Sequence, residues 1–332
     1  MRTKHSFVAH ALSVGVVLAS AMLPAYAADS LATANAALQA GKADEATKLL
    51  QDALHSDAKN AEANNLLCRV EYSLQQWNDA AGHCEKAVTL KPGDARYHLW
   101  LGRAFGEKAD HVSFISAYSL AKRAREEFET AVKLDPHDAD ALSDLGEFYK
   151  EAPGAVGGGI DKAQGIAKQL DAVDPARAHN LRGEIAEKQK DLDAAEKEFK
   201  AATTGPGAAL QWMELANFYR RHERWSDMEA AIKSGQAAAG HDKYGALALF
   251  NGASILARTN RQPQLAIKLF TEYIASPDKT EDAPAFDALA RLARLRKSTG
   301  DNAGAERDKA SALDLAKNYK PAQDATSDAK GK

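Results

Sequence analysis

Cysteine, proline and aromatic residues are scarce in this chain of 332 residues. It has two cysteines, 10 prolines and four tryptophans, and aromatic residues make up 7% of the sequence. Alanine, in contrast, is abundant throughout. Because alanine favours helices and aromatic residues favour strands, this composition predicts an all-α fold.

The motifs of the common catalytic and metal sites are also missing. No G-x-S-x-G, HxxxH, CxxC or CxxCH pattern is present. Among the ten histidines, His98 and His179 share the same position in their predicted helices, but they lie two repeats apart. We therefore predict no catalytic residue, no metal site and no cofactor, and we expect that the protein is not an enzyme.

Positive charge is not concentrated anywhere in the sequence. The formal net charge is −3, and no block of lysine and arginine occurs. This mild acidity excludes the electrostatic footprint of a nucleic-acid-binding protein. It also argues against binding to a membrane surface.

Residues 1–27 have the pattern of a secretory signal peptide. Arg2 and Lys4 supply the charged start, 7–23 is largely apolar, and Ala25 and Ala27 form an A-x-A cleavage site. We expect a periplasmic or secreted protein with no stable membrane insertion after cleavage. The alternative is an uncleaved anchor.

A thirteen-residue phrase, AREEFETAVKLDP from Ala124 to Pro136, recurs along the chain. Ala124, Phe128 and Ala131 line one face of a helix, and Pro136 ends it. One such helix cannot bury Phe128 alone, so the copies must pack on one another. Copies begin at Ala46, Ala80, Ala124, Ala163, Ala195, Met228, Ala266 and Ala305.

A second helix precedes each phrase, and three copies show its signature clearly. These are Trp212-x-x-Leu215-Ala216-x-x-Tyr219, His98-x-x-Leu101-Gly102-x-x-Phe105 and Leu142-x-x-Leu145-Gly146-x-x-Tyr149. With these helices the chain resembles the tetratricopeptide repeat (TPR) family, whose 34-residue period equals the first spacing. The resemblance implies a right-handed α-solenoid of about eight helix-turn-helix repeats over 28–317, with a concave groove. The polar segment 318–332 is predicted to be disordered.

Two insertions interrupt the repeats. The first, 106–120, is too apolar for a solvated loop, and we expect it to pack on the edge of its own repeat or to contact a partner. The second, 151–159, places three glycines before a helix. We expect a turn that re-aims the next helix, with anion binding by backbone N–H groups as the alternative.

Both cysteines fall in the second copy. Cys68 lies in its first helix and Cys84 in its second, and both should face the core between them. In an oxidising compartment two facing thiols form a disulfide. The alternative is a pair of small buried hydrophobic residues.

The resemblance also assigns partner-binding residues, since first helices line the groove of the family. Arg69 and Arg103 lie on adjacent repeats, where they could share one acidic group of a partner. The residues predicted for partner binding are Asn65, Arg69, Tyr72, Arg96, Arg103, Glu147, Lys150, Asn180, Glu184, Asn217 and Arg220.

These features together predict a non-enzymatic scaffold of the bacterial cell envelope. Its groove would bind a peptide or a helix of another envelope protein. One alternative is a small-ligand or glycan binder that uses the two insertions. Another is an accessory subunit of an envelope enzyme or secretion complex.

Overall fold

The computed structural model describes residues 29–205 and 207–327, and every regular element in these ranges is a helix. Sixteen helices, α1 to α16, follow one another as eight helix-turn-helix pairs that stack into a solenoid. The predicted all-α repeat fold is therefore confirmed. The predicted signal peptide, 1–27, lies outside the described residues.

The helices have the following bounds. They are α1 (29–39), α2 (Ala43–Ser56), α3 (Ala61–Ser73), α4 (Trp77–Leu90), α5 (Ala95–Ala109), α6 (Phe114–Leu134), α7 (Ala139–Glu151), α8 (Ile160–Leu170), α9 (Pro175–Lys188), α10 (Leu192–Ala202), α11 (Ala208–Arg221), α12 (Trp225–Ala239), α13 (Gly245–Arg258), α14 (Pro263–Ala275), α15 (Ala285–Ser298), α16 (Asn302–Leu315) and the short α17 (Lys320–Gln323).

Short polar side chains start several of the first helices. Asn60 accepts a hydrogen bond from the backbone N–H of Ala63 at 2.9 Å, and Asp138 accepts one from Asp140 at 2.9 Å. Each such cap satisfies a backbone donor that has no partner inside the helix. Such capping residues set where the second to fifth repeats begin.

The small residue of each first-helix signature allows the two helices of a repeat to approach closely. A Cβ atom at Gly102 would lie 2.6 Å from the ring of Phe128. Phe128, which the phrase predicted as its main buried residue, is 7% exposed. The signature and the phrase are therefore two sides of one contact.

Cys68 and Cys84 are joined by a disulfide that links α3 to α4. Their Cα atoms are 5.3 Å apart, and both residues are fully buried. The bond closes a short loop around the turn of the second repeat.

The last repeat packs against the first, so the solenoid closes on itself. One hydrophobic cluster contains Leu38 and Leu66 from the first repeats together with Phe286 and Leu289 from α15. At Gly41, with φ +71°, a Cβ atom would lie 2.4 Å from the backbone nitrogen of Ala285. Through these contacts the N-terminal repeat covers α15, the first helix of the last repeat.

The segment after α16 differs from the predicted disordered tail. Tyr319 is 2% exposed, its ring lies 4.7 Å from that of Phe286, and α17 follows it directly. The prediction is wrong for 318–327 because one aromatic residue in a polar segment has no periodicity, yet it buries a large area on α15. Residues 328–332 lie outside the described part.

Candidate functional site: the concave groove

The first helices of the repeats supply one series of equivalent side chains to the inner surface. In each helix the residue that follows the buried small residue of the signature occupies the same position. This series runs from basic through acidic and polar residues back to basic. Its members are Arg69, Arg103, Glu147, Glu184, Asn217, Ser254 and Arg291.

At its N-terminal end the groove already holds an acidic segment of this chain. Glu281, in the loop 276–284 between α14 and α15, accepts a hydrogen bond from Arg69 Nε at 2.8 Å and forms an ion pair with Arg69 Nη2. Gln39 Nε2 donates to Glu281 Oε1 at 2.9 Å. The side chains of Arg69 and Glu281 are each 12% exposed, so the pair is largely withdrawn from water.

Arg69 and Arg103 both lie over Trp100, but they have separate carboxylate partners. Their guanidinium carbons are 5.3 and 4.7 Å from the Trp100 ring centre. Arg103 Nε donates to Asp144 Oδ2 at 2.5 Å, whereas Arg69 takes Glu281. Sequence reasoning placed these arginines in the groove, but it assigned their acidic partner to another protein.

Three other predicted residues near this end are less available for binding. Asn65 is fully buried, and Tyr72 packs edge-on against Trp77 and Trp100 at 5.3 and 5.5 Å. Arg96 lies at the mouth of the groove, where it pairs with Asp94 and Glu62. Because Asn65 has no exposed surface, a partner cannot reach it in this conformation.

The middle of the groove is acidic. Lys150 Nζ forms an ion pair with Glu184 Oε2 at 2.7 Å, and Glu147 and Glu214 lie nearby. Burial and the charge of Glu184 raise the pKa of Glu147 above its usual range. The same two causes raise the pKa of Glu214 to about 7.

Two polar residues complete this part of the groove. Asn180 Nδ2 donates to Gln211 Oε1, so the predicted Asn180 bridges α9 and α11. Glu214 was missed by the family positions, because it sits between the signature residues Trp212 and Leu215. A charged residue inside an apolar signature was the signal that could have found it.

Glu214 should make the stability of the folded protein depend on pH. Its ordinary pKa is 4.5, so between about pH 4.5 and 7 the folded state holds a proton that the unfolded state has lost. Stability from this group is therefore present at low pH and declines as pH rises through 7. We expect Glu214→Gln to stabilise the protein by about 3 kcal/mol at pH 8 and by nothing at pH 4. Urea unfolding at both values measures this, with Glu306→Gln on exposed α16 as the control. An equal gain at both values would contradict it.

The two insertions contact each other between the third and fourth repeats. Tyr118 Oη donates to the carbonyl of Ala155 at 3.1 Å, and Arg125 Nη1 donates to that of Val156 at 3.1 Å. Residues 106–120 lengthen α5 and α6 and leave Phe114 and Ile115 86% and 84% exposed. The two insertions border a cleft of about 480 Å³.

The backbone of the second insertion satisfies itself. The N–H of Gly157 donates to Gly154 at 3.0 Å, that of Gly158 to Pro153 at 3.2 Å and that of Gly159 to Tyr149 at 2.8 Å. These donors therefore point at the turn rather than at a ligand. The segment is the turn into α8, and the anion-binding alternative is not supported by this geometry.

Within 29–205 and 207–327 there is no cluster of three histidine, cysteine or acidic residues that could hold a metal ion. No helix of the same ranges combines the length and hydropathy of a transmembrane segment.

Comparison with known families decides what kind of repeat this is. Two family models, both described as tetratricopeptide repeat, match residues 37–104 and 157–209. Both matched segments are tetratricopeptide repeats. Proteins built from TPRs generally mediate protein–protein interactions, and the TPR fold is typically a non-catalytic scaffold.

Individual relatives of this TPR protein are distant. Superkiller complex protein 3 of Mus musculus is 24% identical over 209 residues, which are 60% of this chain and 13% of that protein. Tetratricopeptide repeat protein 37 of Xenopus laevis is 26% identical over 209 residues, 59% of this chain and again 13% of that protein. The TPR chain thus matches only a small part of the length of these relatives.

Solved TPR structures also resemble parts of the chain. A TPR protein from Parabacteroides merdae is 13% identical with a TM-score of 0.47, covering 74% of this chain and 91% of that one. A thermophilic TPR protein of Thermus thermophilus is 21% identical with a TM-score of 0.45, covering 53% of this chain and 89% of that one.

Proposed function

We propose that this TPR protein is a non-enzymatic scaffold that binds an extended segment or a helix of another protein in its concave groove. One observation carries the proposal: the groove already holds the loop 276–284 of its own chain through Arg69 and Gln39. A surface that binds an extended acidic segment within the molecule has the donors to bind another. The C-terminal part of the groove, from Asn217 to Arg291, is left for a partner.

We further propose that the partner belongs to the bacterial cell envelope. The signal-like pattern of 1–27 supports export, and the disulfide between Cys68 and Cys84 is the kind of bond that persists in an oxidising compartment. The intact mass of the protein recovered from its native host should correspond to a chain that begins at Ala28. A mass that includes Met1 would contradict cleavage.

Site-specific crosslinking tests the groove. We expect a photoreactive residue at Asn217 to capture a partner in cells, because Asn217 lies on α11 at the position of Arg69 on α3. The matched control is Lys233, which is exposed on the outer helix α12. Capture from Lys233 but not from Asn217 would place the interaction on the outer face and contradict the groove assignment.

A second candidate function is favoured by the cleft between the insertions. Its volume of about 480 Å³ is within the range of small-ligand pockets, and Phe148 and Val156 give it an apolar wall. A small ligand or glycan bound there should be lost when 152–158 is shortened, while capture from Asn217 should persist. Loss of both would indicate a folding defect. If the protein is instead an accessory subunit, crosslinking from Asn217 should also capture a protein, and that protein should be an envelope enzyme.

A further inference from the structure

The C-terminal end of the groove gathers arginines around one cavity. This cavity, of about 410 Å³, lies between α13 and α15 and is lined by Arg258, Arg291 and Arg294. Partial burial, Arg291 and Arg220, a predicted groove residue on α11, together lower the pKa of Arg258. Four positive charges are thus held near one another.

The chain supplies few negative charges to balance them. Arg291 Nε donates to Asp287 Oδ2 at 2.7 Å. Arg294 contacts only a neutral acceptor, the carbonyl of Pro321, at 3.2 Å, and Arg220 contacts only the amide oxygen of Asn217, at 3.3 Å. Within 29–205 and 207–327, the guanidinium group of Arg258 has no hydrogen bond and no ion pair. Only one of the four arginines, Arg291, contacts a carboxylate within the described residues, so the cavity is electropositive.

A buried donor points to a ligand in the same place. Ser254, which lines the cavity on α13, is 5% exposed, and its hydroxyl has no partner among the described residues. A buried hydroxyl without a hydrogen bond costs free energy, and such groups usually mark a bound molecule or a function. An anion in the cavity would accept from this hydroxyl and from the guanidinium groups together.

The N-terminal end of the groove shows which anion fits this surface. Arg291 follows Ala290 on α15 as Arg69 follows Cys68 on α3, so the two arginines are equivalent in the repeat. Arg69 is satisfied by a carboxylate, Glu281, carried by an extended loop. The equivalent position in the last repeat faces a cavity instead of a loop.

We propose that the cavity lined by Arg258, Arg291 and Arg294 binds the carboxylates of an acidic, extended segment of the partner protein. This inference rests on the proposed function, because it names the chemistry of the segment that the groove takes. The arginines would donate paired hydrogen bonds to aspartate or glutamate side chains, and Ser254 would donate a further one. The acidic middle of the groove would repel the same segment and so confine it to this end.

Fluorescence anisotropy with the full chain and labelled hexaglutamate at low salt tests the inference. We expect saturable binding that weakens with salt, and at least a tenfold loss in Arg258→Gln/Arg294→Gln, since each lost charged hydrogen bond contributes on the order of 1.5 kcal/mol. Both arginines are exposed, so the double variant should keep its circular dichroism and melting temperature. The matched control is Arg307→Gln on α16, which is exposed and outside the cavity and should bind as the wild type does.

Several outcomes would overturn the inference. Unchanged affinity in the double variant, no binding of hexaglutamate, or equal binding of hexaglutamine would each do so. Displacement by inorganic phosphate at equal charge would show that a free phosphate is the ligand, and tighter binding of labelled oligothymidylate would show that a nucleic acid is.

The experiment separates the inference from the proposed function. If Asn217 captures a protein but hexaglutamate does not bind, the scaffold proposal stands and the acidic chemistry fails. If hexaglutamate binds through the arginines but no protein is captured from the groove, the anion site stands and the scaffold proposal fails.

Discussion

Replacing Glu281 with alanine should destabilise the protein by about 3 kcal/mol, because it leaves Arg69 without a counter-charge in a largely enclosed site. The side chains of Arg69 and Glu281 are each 12% exposed, and the two residues are 212 positions apart in sequence. The pair joins α3 to the loop before α15. Its removal therefore weakens the contact that closes the solenoid. Thermal melting should show a decrease of about 5 °C.

Three measurements make this expectation specific. Arg69→Ala/Glu281→Ala should cost less than the sum of the two single changes, since neither charge is then left alone. Glu306→Ala, on the exposed face of α16, should melt as the wild type does. Small-angle scattering should show a larger radius of gyration for Glu281→Ala if the first and last repeats separate. A variant with unchanged melting and unchanged dimensions would show that apolar contacts alone hold the closure.

The repeat architecture could be predicted because its signals are local. Phe128 packs on Gly102 within one repeat, and short polar caps such as Asp138 start the helices. Each of these contacts joins residues that are close in sequence, so period and side-chain type are enough to place them. The same locality explains why Cys68 and Cys84 could be placed opposite each other.

The closure could not be predicted because it depends on small rotations that add up over eight repeats. Phe286 and Tyr319 are residue types that occur in any repeat. The sequence around them does not indicate that they pack in one cluster with the first repeat. The acidic loop 276–284 likewise resembles any polar connection. Its role follows only from the position to which the solenoid brings Glu281.

Some features of the groove could be predicted from the sequence, and others could not. Arg69 and Arg103 were identified by position, yet their partners, Glu281 and Asp144, come from within the molecule. Arg258 and Arg294 were missed because the family positions were carried only as far as Arg220. Continuing the register into the last two repeats would have found Arg291 and Arg294.

The disulfide should contribute about 3 kcal/mol to stability, since its 16-residue separation closes a loop that restricts the unfolded chain. Cys68→Ala/Cys84→Ala is therefore expected to melt about 5 °C lower than the oxidised protein. Because both cysteines are buried in the core of the second repeat, the alanine variant also loses packing. Reduced wild-type protein separates the two effects, since it keeps both sulfur atoms in place.

The oxidation state of this disulfide indicates the compartment in which the protein resides. Protein recovered from the envelope should have no free thiol under denaturing conditions, whereas a chain expressed without 1–27 should carry two. Addition of a reductant should lower the melting temperature of the first sample to that of the second. Equal melting of the oxidised and reduced forms would show that helix packing around Ala80 and Ala87 holds the second repeat without the bond, and that the cysteines act there as two small buried residues.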